Sequence, residues 1–357
     1  MRYAAIMAGG VGQRLWPLSR KHRPKQLLSL VEGKSLLDVA VGRLNGVFDN
    51  ENIYIITNAE YVDDIAAALP QLPRENIVGE PVGRDTANAV ALGAAILAGR
   101  DPNGTMAVFT ADHVIRPVED FAATVASACQ AAEDEPDALI TFGIKPTSPH
   151  TGLGYIHCGQ ASDNGVFDVK GFVEKPDRAT ARRYVESGNY YWNSGMFVWT
   201  IPAIQSALGQ FLPDSLEKLR PITEAVAAGG DITELMGEIY PQLEKISIDY
   251  AVMEKADKGR MVPLSCQWLD IGSWPAIENV AEQDDLGNAV VASTTVLLDS
   301  CRNVIVSEDD HLLAVIGMDD CVIVHSPDAT LICKKSDSQR LKELLAMIES
   351  KSPGKYS

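Results

Sequence analysis

Apolar and polar positions alternate along this chain in two textures, and the change falls near residue 285. Before it, short runs rich in β-branched residues take turns with longer amphipathic stretches. AAIMA from Ala4, NIYIIT from Asn52, NIVGEP and TMAVFT from Thr105 have the pattern of buried strands. Between them lie three helical segments: SLLDVAVGRLNGVF, which Ser35 can cap, a stretch through Ala66, and DTANAVALGAAILAG, which Asp85 opens. Strand, helix, strand in repetition implies right-handed crossovers and a mostly parallel sheet with helices on both faces. In such sheets ligands sit beyond the carboxyl ends of the strands. The glycine-rich loop after Ala8, Glu80 and Asp112 all fall at such ends. Further on, ALITFGI, GYIHCG, VFDVKGFVEK and GMFVWT predict strands, and the segments from Asp177, Pro213 and Ile232 predict helices. VPLSCQWLDIGSW then runs into a helix through Ala281.

From Gly287 the runs VVAS, TVLLDS, NVIVS, HLLAVIG, CVIVHS and TLICK follow one another at regular intervals between polar turns, with no helical period. Such spacing predicts a small β-solenoid or a sandwich that packs on the rest of the chain or on another subunit. SQRLKELLAMIES near the end has the pattern of an amphipathic helix. The expected division is therefore a larger domain over 1–285 and a β-rich unit with a terminal helix over 286–357.

Composition narrows the classes. An apolar content of 46% and a charged content of 22% in 357 residues are those of a globular enzyme. A net charge of −17 argues against nucleic-acid polymers and anionic membranes as partners. The start of the chain does not read as a signal peptide, and no stretch approaches the roughly twenty apolar residues of a membrane span. Cys129, Cys158, Cys266, Cys301, Cys321 and Cys333 lack C-x-x-C spacing and read as buried thiols. A soluble cytoplasmic protein is expected.

Against this acidic background, one stretch stands out. Gly9, Gly10 and Gly12 are followed closely by Arg14, Arg20, Lys21, Arg23 and Lys25. Glycines allow backbone N–H groups to approach an anion, and cations supply charge-assisted hydrogen bonds to phosphate oxygens. The stretch reads as a triphosphate cradle. It is neither a P-loop, since Arg14 stands where the second glycine belongs, nor a dinucleotide fingerprint, since Leu15 replaces the third. Asp112 in T-A-D-H and Asp270 in W-L-D-I-G, each alone, would be turn formers or caps. Beside a phosphate loop they make a Mg²⁺ pair, because Mg²⁺ is held by one or two carboxylates plus phosphates and water. Lys175 in F-V-E-K-P, taken alone, is a solvated hairpin lysine. The histidines lack ligand spacing and are assigned to structure.

The order G-G-x-G-x-R-L followed by P-K resembles the signature of the sugar-1-phosphate nucleotidyltransferases, and RLWPLSR…PKQ resembles their mannose-1-phosphate guanylyltransferase branch. The resemblance continues through T-A-D-H, F-G-I-x-P-T, E-K-P, W-N-S-G-M, I-S-I-D-Y-A-V-M-E and the C-terminal β segment. It implies an α/β nucleotidyltransferase fold: a Rossmann-like mixed, mostly parallel sheet flanked by helices, with a small β-solenoid-like unit. The implied reaction moves GMP from GTP to α-D-mannose 1-phosphate, releasing pyrophosphate. In that scheme Asp112 and Asp270 hold Mg²⁺, and Arg14 and Lys25 stabilise the departing pyrophosphate. Ala8, Gly9, Gly10, Gly12 and Thr86 surround the nucleotide. Lys175 meets the sugar phosphate, Glu174 and Asn193 meet sugar hydroxyls, and Gly154 comes close to the ring. Asp249 either lines the sugar pocket or serves structure alone. Glu80 stands where the wider superfamily reads its base, and a carboxylate suits the N1–H and N2–H₂ donors of guanine; otherwise it is a surface glutamate before a proline turn. The sequence departs from the branch at Leu153, Asp85 and Asn88. Longer relatives continue into an isomerase domain, so guanylyl transfer without isomerisation is expected, as is a homodimer paired through the C-terminal β unit. Rival readings are a different sugar or base, or a non-catalytic nucleotide-sugar-binding regulatory subunit.

Overall fold

Buried β-branched runs bounded by glycine, proline and asparagine become strands here, and alanine-rich stretches behind acidic or hydroxyl caps become helices. The computed structural model describes residues 1–10, 12–162 and 164–356, so Val11 of the glycine-rich loop lies outside the description. The strands in chain order are β1 (Arg2–Ala8), β2 (Ile53–Asn58), β3 (Ile77–Glu80), β4 (Thr105–Thr110), β5 (His113–Arg116), β6 (Leu139–Ile144), β7 (Tyr155–Ala161), β8 (Phe167–Val173), β9 (Tyr190–Thr200), β10 (Gly259–Leu264), β11 (Gln267–Asp270), β12 (Ala289–Val291), β13 (Thr294–Leu298), β14 (Val304–Ser307), β15 (Leu312–Ile316), β16 (Cys321–Ser326) and β17 (Ala329–Lys334). The helices are α1 (Leu36–Gly42), α2 (Val62–Ala68), α3 (Thr86–Arg100), α4 (Val118–Asp134), α5 (Arg178–Ser187), α6 (Ile201–Phe211), α7 (Pro213–Ala227), α8 (Thr233–Ile239) and α9 (Leu341–Lys351).

Two compact units share these elements. The first comprises Met1–Gly9, Arg43–Thr110 and Ile115–Gln267. Its nine-stranded sheet has the order β3-β2-β1-β4-β9-β6-β10-β8-β7. Pairing is parallel from β3 to β4 and turns antiparallel at β9. Thus β1, β2, β3 and β4 point their carboxyl ends the same way, which gathers Ala8, Glu80 and Thr110 at one edge. Helix α3 is buried along almost its whole length, from Ala87 to Ala98. It packs on β1 and β2 on one side and on α6 and α7 on the other. That double cover is why its sequence shows no polar face.

The second unit comprises Gly10–Gly42, Ala111–Val114 and Trp268–Ser357. Leu15, Trp16, Leu18, Leu28 and Leu30 of the glycine-rich segment share one core with Ile271, Trp274, Val304, Val306, Val322, Val324 and Leu341. The grouping follows contacts through space, so it cuts the chain elsewhere than a division by chain order at 285 does. Between sandwich and solenoid, the pairing decides for the solenoid: β12, β14 and β16 are parallel neighbours, as are β13 and β15. Asn288 and Asn303, both fully buried, stack as a ladder, with Asn303 Nδ2 donating to Asn288 Oδ1 at 3.0 Å. Their amides also satisfy Ser300 O, Met318 O and Cys321 N–H, which a buried turn would otherwise leave unpaired.

Three elements depart from the sequence reading, one of them the expected helix through Ala281, which is a short 3₁₀ run over Trp274–Asn279. The Ser35-capped helix ends at Gly42, with the Asp38 N–H donating to Ser35 Oγ at 3.0 Å. The sequence pattern does not separate helix α6 from the strand before it, because Thr200 closes β9 and at once caps α6 through Ala203 N–H at 3.1 Å.

Candidate active site

In the second unit, a left-handed Gly12 (φ 71°) sends the chain from the glycine-rich turn into a single helical turn, Gln13–Leu15. A Cβ on Gly12 would stand 2.7 Å from Lys25 Cγ, so the glycine is required both by its backbone conformation and by the lysine stem lying across it. Gln26 Nε2 donates to Gly10 O at 2.9 Å and fastens the two ends of the loop segment together. Lys25 Nζ forms an ion pair with Asp112 Oδ2. Burial works against the Asp112 charge, but the Lys25 ammonium and then His113 outweigh it and hold the carboxyl well below its ordinary range. The Ile271 N–H donates to Asp112 O at 3.1 Å, which sets the peptide that follows Asp270 against the one that carries Asp112. Lys25, Asp112 and the Asp270 backbone are thereby brought together. Asp270 is exposed, and so is Arg14 at the end of its turn; no hydrogen bond or ion pair ties the Arg14 side chain to the other three among the described residues.

In the first unit, Ala8 ends β1, buried, with its carbonyl accepting from Thr57 Oγ1 at 3.0 Å. Gly9 lies against Glu80: a Cβ there would stand 3.1 Å from Oε2. Glu80 is only 5% exposed, which removes the alternative of a surface glutamate. Its Oε1 accepts from the Tyr240 hydroxyl. Burial pushes the Glu80 carboxyl up to about 7, the Tyr240 bond pulls the other way, and Asp85 adds to the rise. The sequence pattern does not single out Tyr240, since no local motif marks it and it lies far along the chain from Glu80. Thr86 Oγ1 accepts from the Ile248 N–H at 2.9 Å. Asn88, one of the departures, is fully buried and donates to Glu244 O at 2.5 Å. Asp85, another of them, adopts φ 67° while capping α3 through Thr86 N–H. Thr86 and Asn88 tie the start of α3 to the chain before Asp249.

A second cluster of the first unit holds the predicted sugar residues together. Asn193 Nδ2 donates to Asp249 Oδ1 at 2.9 Å, while its Oδ1 accepts from Gly195 N–H and Thr141 Oγ1, both at 3.1 Å. Among the described residues, the second amide hydrogen of Asn193 has no partner and is chemically able to donate to a hydroxyl. Asp249 begins a single π-helical turn, Asp249–Met253. Burial, and next the Glu174 charge, push its carboxyl up to about 7. Glu174, with a side chain 9% exposed, pairs with Lys175 Nζ at 2.6 Å. Lys175 itself has φ 50°, a left-handed turn after β8. A Cβ on Gly154 would collide with Glu174 Oε2, and its carbonyl accepts from Asn193 N–H at 2.8 Å. Two carboxylates, an amide and an ammonium thus converge on a backbone kept bare by glycine. This is a constellation suited to a polyhydroxylated anion.

A cavity of 720 Å³ lined by Arg74, Gly79, Ile96 and Met236 includes none of these residues. Among the described residues, no group of three or more His, Cys, Asp or Glu side chains is arranged to hold a metal. Two carboxylates on adjoining peptides, one exposed, still suit a hard divalent cation whose other ligands are phosphate and water. No helix among the described residues is long and apolar enough to cross a membrane.

Comparison with known proteins places these clusters in context. The family model described as nucleotidyl transferase matches residues 3–287, and that of the MannoseP isomerase/GMP-like beta-helix domain matches 293–347. A protein of Klebsiella pneumoniae named mannose-1-phosphate guanylyltransferase is 39% identical over 363 residues, covering 100% of this chain and 76% of its own length. A protein of the same name from Escherichia coli is also 39% identical, with the same coverage. A solved structure from Thermus thermophilus, described as a mannose-1-phosphate geranyltransferase, matches with a TM-score of 0.87 at 34% identity, over 98% of this chain and 99% of that one.

Proposed function

The chain belongs to the nucleotidyl transferase family, and from that premise we propose that it transfers GMP from GTP to α-D-mannose 1-phosphate, giving GDP-mannose and pyrophosphate. Enzymes of this kind take a nucleoside triphosphate and a sugar 1-phosphate and generally use a divalent metal. The observation that supports the reading above all is the cluster beside the glycine-rich loop, where Lys25, Asp112 and the peptide after Asp270 meet. A phosphate oxygen of the sugar 1-phosphate attacks the α-phosphorus in line, the bond to the β-phosphate oxygen breaks, and pyrophosphate leaves with the electron pair. No protein nucleophile is needed, so catalysis rests on positioning and on neutralising charge. The loop amides around Gly9, Gly10 and Gly12 cradle the triphosphate, with Ala8 and Thr86 completing the nucleotide site. Lys25 and Arg14 stabilise the charge gathering on pyrophosphate. Mg²⁺, held by Asp112 and Asp270, would supply charge neutralisation between the two phosphate groups. Lys175 meets the sugar phosphate, while Glu174, Asp249 and Asn193 bond the hydroxyls above Gly154. The reading is tested by pyrophosphate release from the purified protein with Mg²⁺ and a matrix of nucleoside triphosphates and sugar phosphates. Release fastest with a pair other than GTP and mannose 1-phosphate would reassign the substrates, and no release with any pair would favour a regulatory subunit.

Glu80 is proposed as the guanine reader, with Oε2 facing the base while Tyr240 holds Oε1. Glu80→Gln replaces one acceptor by a donor. A hydrogen bond to a charged group contributes about 1.5–3 kcal/mol, so the preference for GTP over ATP should fall roughly 10- to 150-fold. The carboxyl, pushed up to about 7, is protonated below that pH and accepts poorly. The ratio of kcat/KM for GTP to that for ATP should therefore rise between about pH 6 and pH 8 in the parent and stay flat in Glu80→Gln. An unchanged preference removes Glu80 from the site.

A homodimer is proposed through the solenoid. Val296, Leu298, Leu312 and Ile316 are 55–71% exposed, and Leu298 lies opposite Ile316 in the β13–β15 register. Such a row of apolar side chains invites cover. The double variant Leu298→Lys/Ile316→Lys should sediment as a monomer at micromolar concentration where the parent sediments as a dimer. A monomeric parent, or a dimeric variant, would end this proposal. Unpaired cysteines accord with the proposed cytoplasmic setting.

A further inference from the structure

We propose that Glu308, in the turn between β14 and β15 of the solenoid, is the positioning residue that holds Lys25 in place. Among its described residues, the segment from Gly10 to Leu30 has little regular structure of its own: the single turns Gln13–Leu15 and Lys25–Leu27 and an isolated bridge between Arg20 and Arg23. A segment of this kind keeps one shape only if something outside it fixes that shape. Apolar anchors at Leu15, Trp16, Leu28 and Leu30 hold its two ends in the shared core. Between those anchors lies the polar stretch around Lys25, and there the attachment is electrostatic. Glu308 Oε1 accepts from the Ser29 N–H at 3.0 Å, and Oε2 pairs with Arg23 Nη1 at 2.5 Å. One carboxylate therefore grips the chain on both sides of Lys25, two residues before it and four after.

The environment makes that grip stronger than an ordinary surface pair. The Glu308 side chain is 14% exposed, whereas Arg23 is 48% exposed. A shielded carboxylate thus accepts a charge-assisted hydrogen bond from a backbone N–H at one oxygen and is ion-paired with a guanidinium at the other. Within the segment, the neighbouring N–H groups of Leu27 and Leu28 are satisfied by Pro24 O and Lys25 O. Ser29 is the point at which the turn needs an outside acceptor. The solenoid thereby supplies a part of the nucleotide site without touching substrate. Removing the carboxylate releases Arg23 and the Ser29 N–H from the solenoid, which leaves Leu28 in the core but loosens the backbone on either side of Lys25 and the direction in which Nζ points. Small displacements of a catalytic group from a distant change can cost up to about 10² in rate.

The inference rests on the role given to Lys25 above, and the experiment separates the two. In the full chain with Mg²⁺, GTP and mannose 1-phosphate, Glu308→Ala should lower kcat about tenfold or more and raise KM for GTP, leaving KM for mannose 1-phosphate unchanged. Glu308→Gln, whose amide oxygen can still accept from Ser29, should restore most of the activity. Glu308→Asp, too short to reach both partners, should fall between and serves if the alanine variant does not fold. The Lys25→Ala/Glu308→Ala double variant should match Lys25→Ala within about twofold, because a positioning residue has nothing left to position. Multiplicative losses in the double variant, or parental kinetics in Glu308→Ala, would overturn the proposal while leaving Lys25 its role. Parental kinetics in Lys25→Ala alone would overturn both.

Discussion

Replacing Lys25 by alanine is expected to lower kcat for pyrophosphate release by 10²–10³, about 2.7–4 kcal/mol, the usual cost of one lost electrostatic contact to a transition state. The structure adds a control. Lys25 does two things: its stem lies across Gly12, and its ammonium meets Asp112. Lys25→Met keeps most of the stem and discards the charge. Both variants should lose kcat equally, while Lys25→Met should keep the parental melting midpoint more closely than Lys25→Ala. If methionine instead restores turnover, the lysine acts by packing and its catalytic role is wrong.

Asp270→Ala should show a loss of the same size, 10²–10³ in kcat, but with a different signature. Asp270 is exposed and its carboxylate has no hydrogen-bond partner among the described residues, so truncating it should leave thermal stability within about 0.5 kcal/mol. Its expected work is on the cation. The concentration of Mg²⁺ giving half-maximal rate should rise several-fold in Asp270→Ala and in Asp270→Asn, and excess Mg²⁺ should recover part of the rate. An unchanged Mg²⁺ requirement alongside full activity would remove Asp270 from the metal site. The two predictions are independent, since the first leaves the carboxylates in place and the second leaves the ammonium.

How far the site was legible in the sequence depends on the distance over which each part is assembled. The glycine-rich turn and its cations are adjacent in the chain, so their order alone announces an anion. E-K-P and W-N-S-G-M are equally local. The pairings that tune them are not: Tyr240 reaches Glu80, and Asp249 reaches Asn193, across long stretches of chain and between unrelated elements. Nothing in a two- or 3.6-residue period can report such a meeting. The C-terminal unit shows the same limit. Alternation along β13 or β15 is identical in a sandwich and a solenoid, and only the parallel register distinguishes them. Asn288 and Asn303 were the available sign, fifteen residues apart and fully buried. Thr86 and Asn88 mark a third limit, since the Thr86 hydroxyl and the Asn88 amide also serve backbone groups near Asp249, partners that composition does not report.

The shared core of the second unit has a consequence for the order of events on the ribosome. Leu15, Trp16, Leu18, Leu28 and Leu30 emerge long before Trp274, Val304, Val322 and Leu341, which shield them. While the chain grows, these early apolar side chains have no permanent neighbours, and the glycine-rich turn cannot settle. Until those later residues follow, that surface stays bare to chaperones and to other nascent chains. The glycine-rich turn gains its support only when the later solenoid coils close over these side chains.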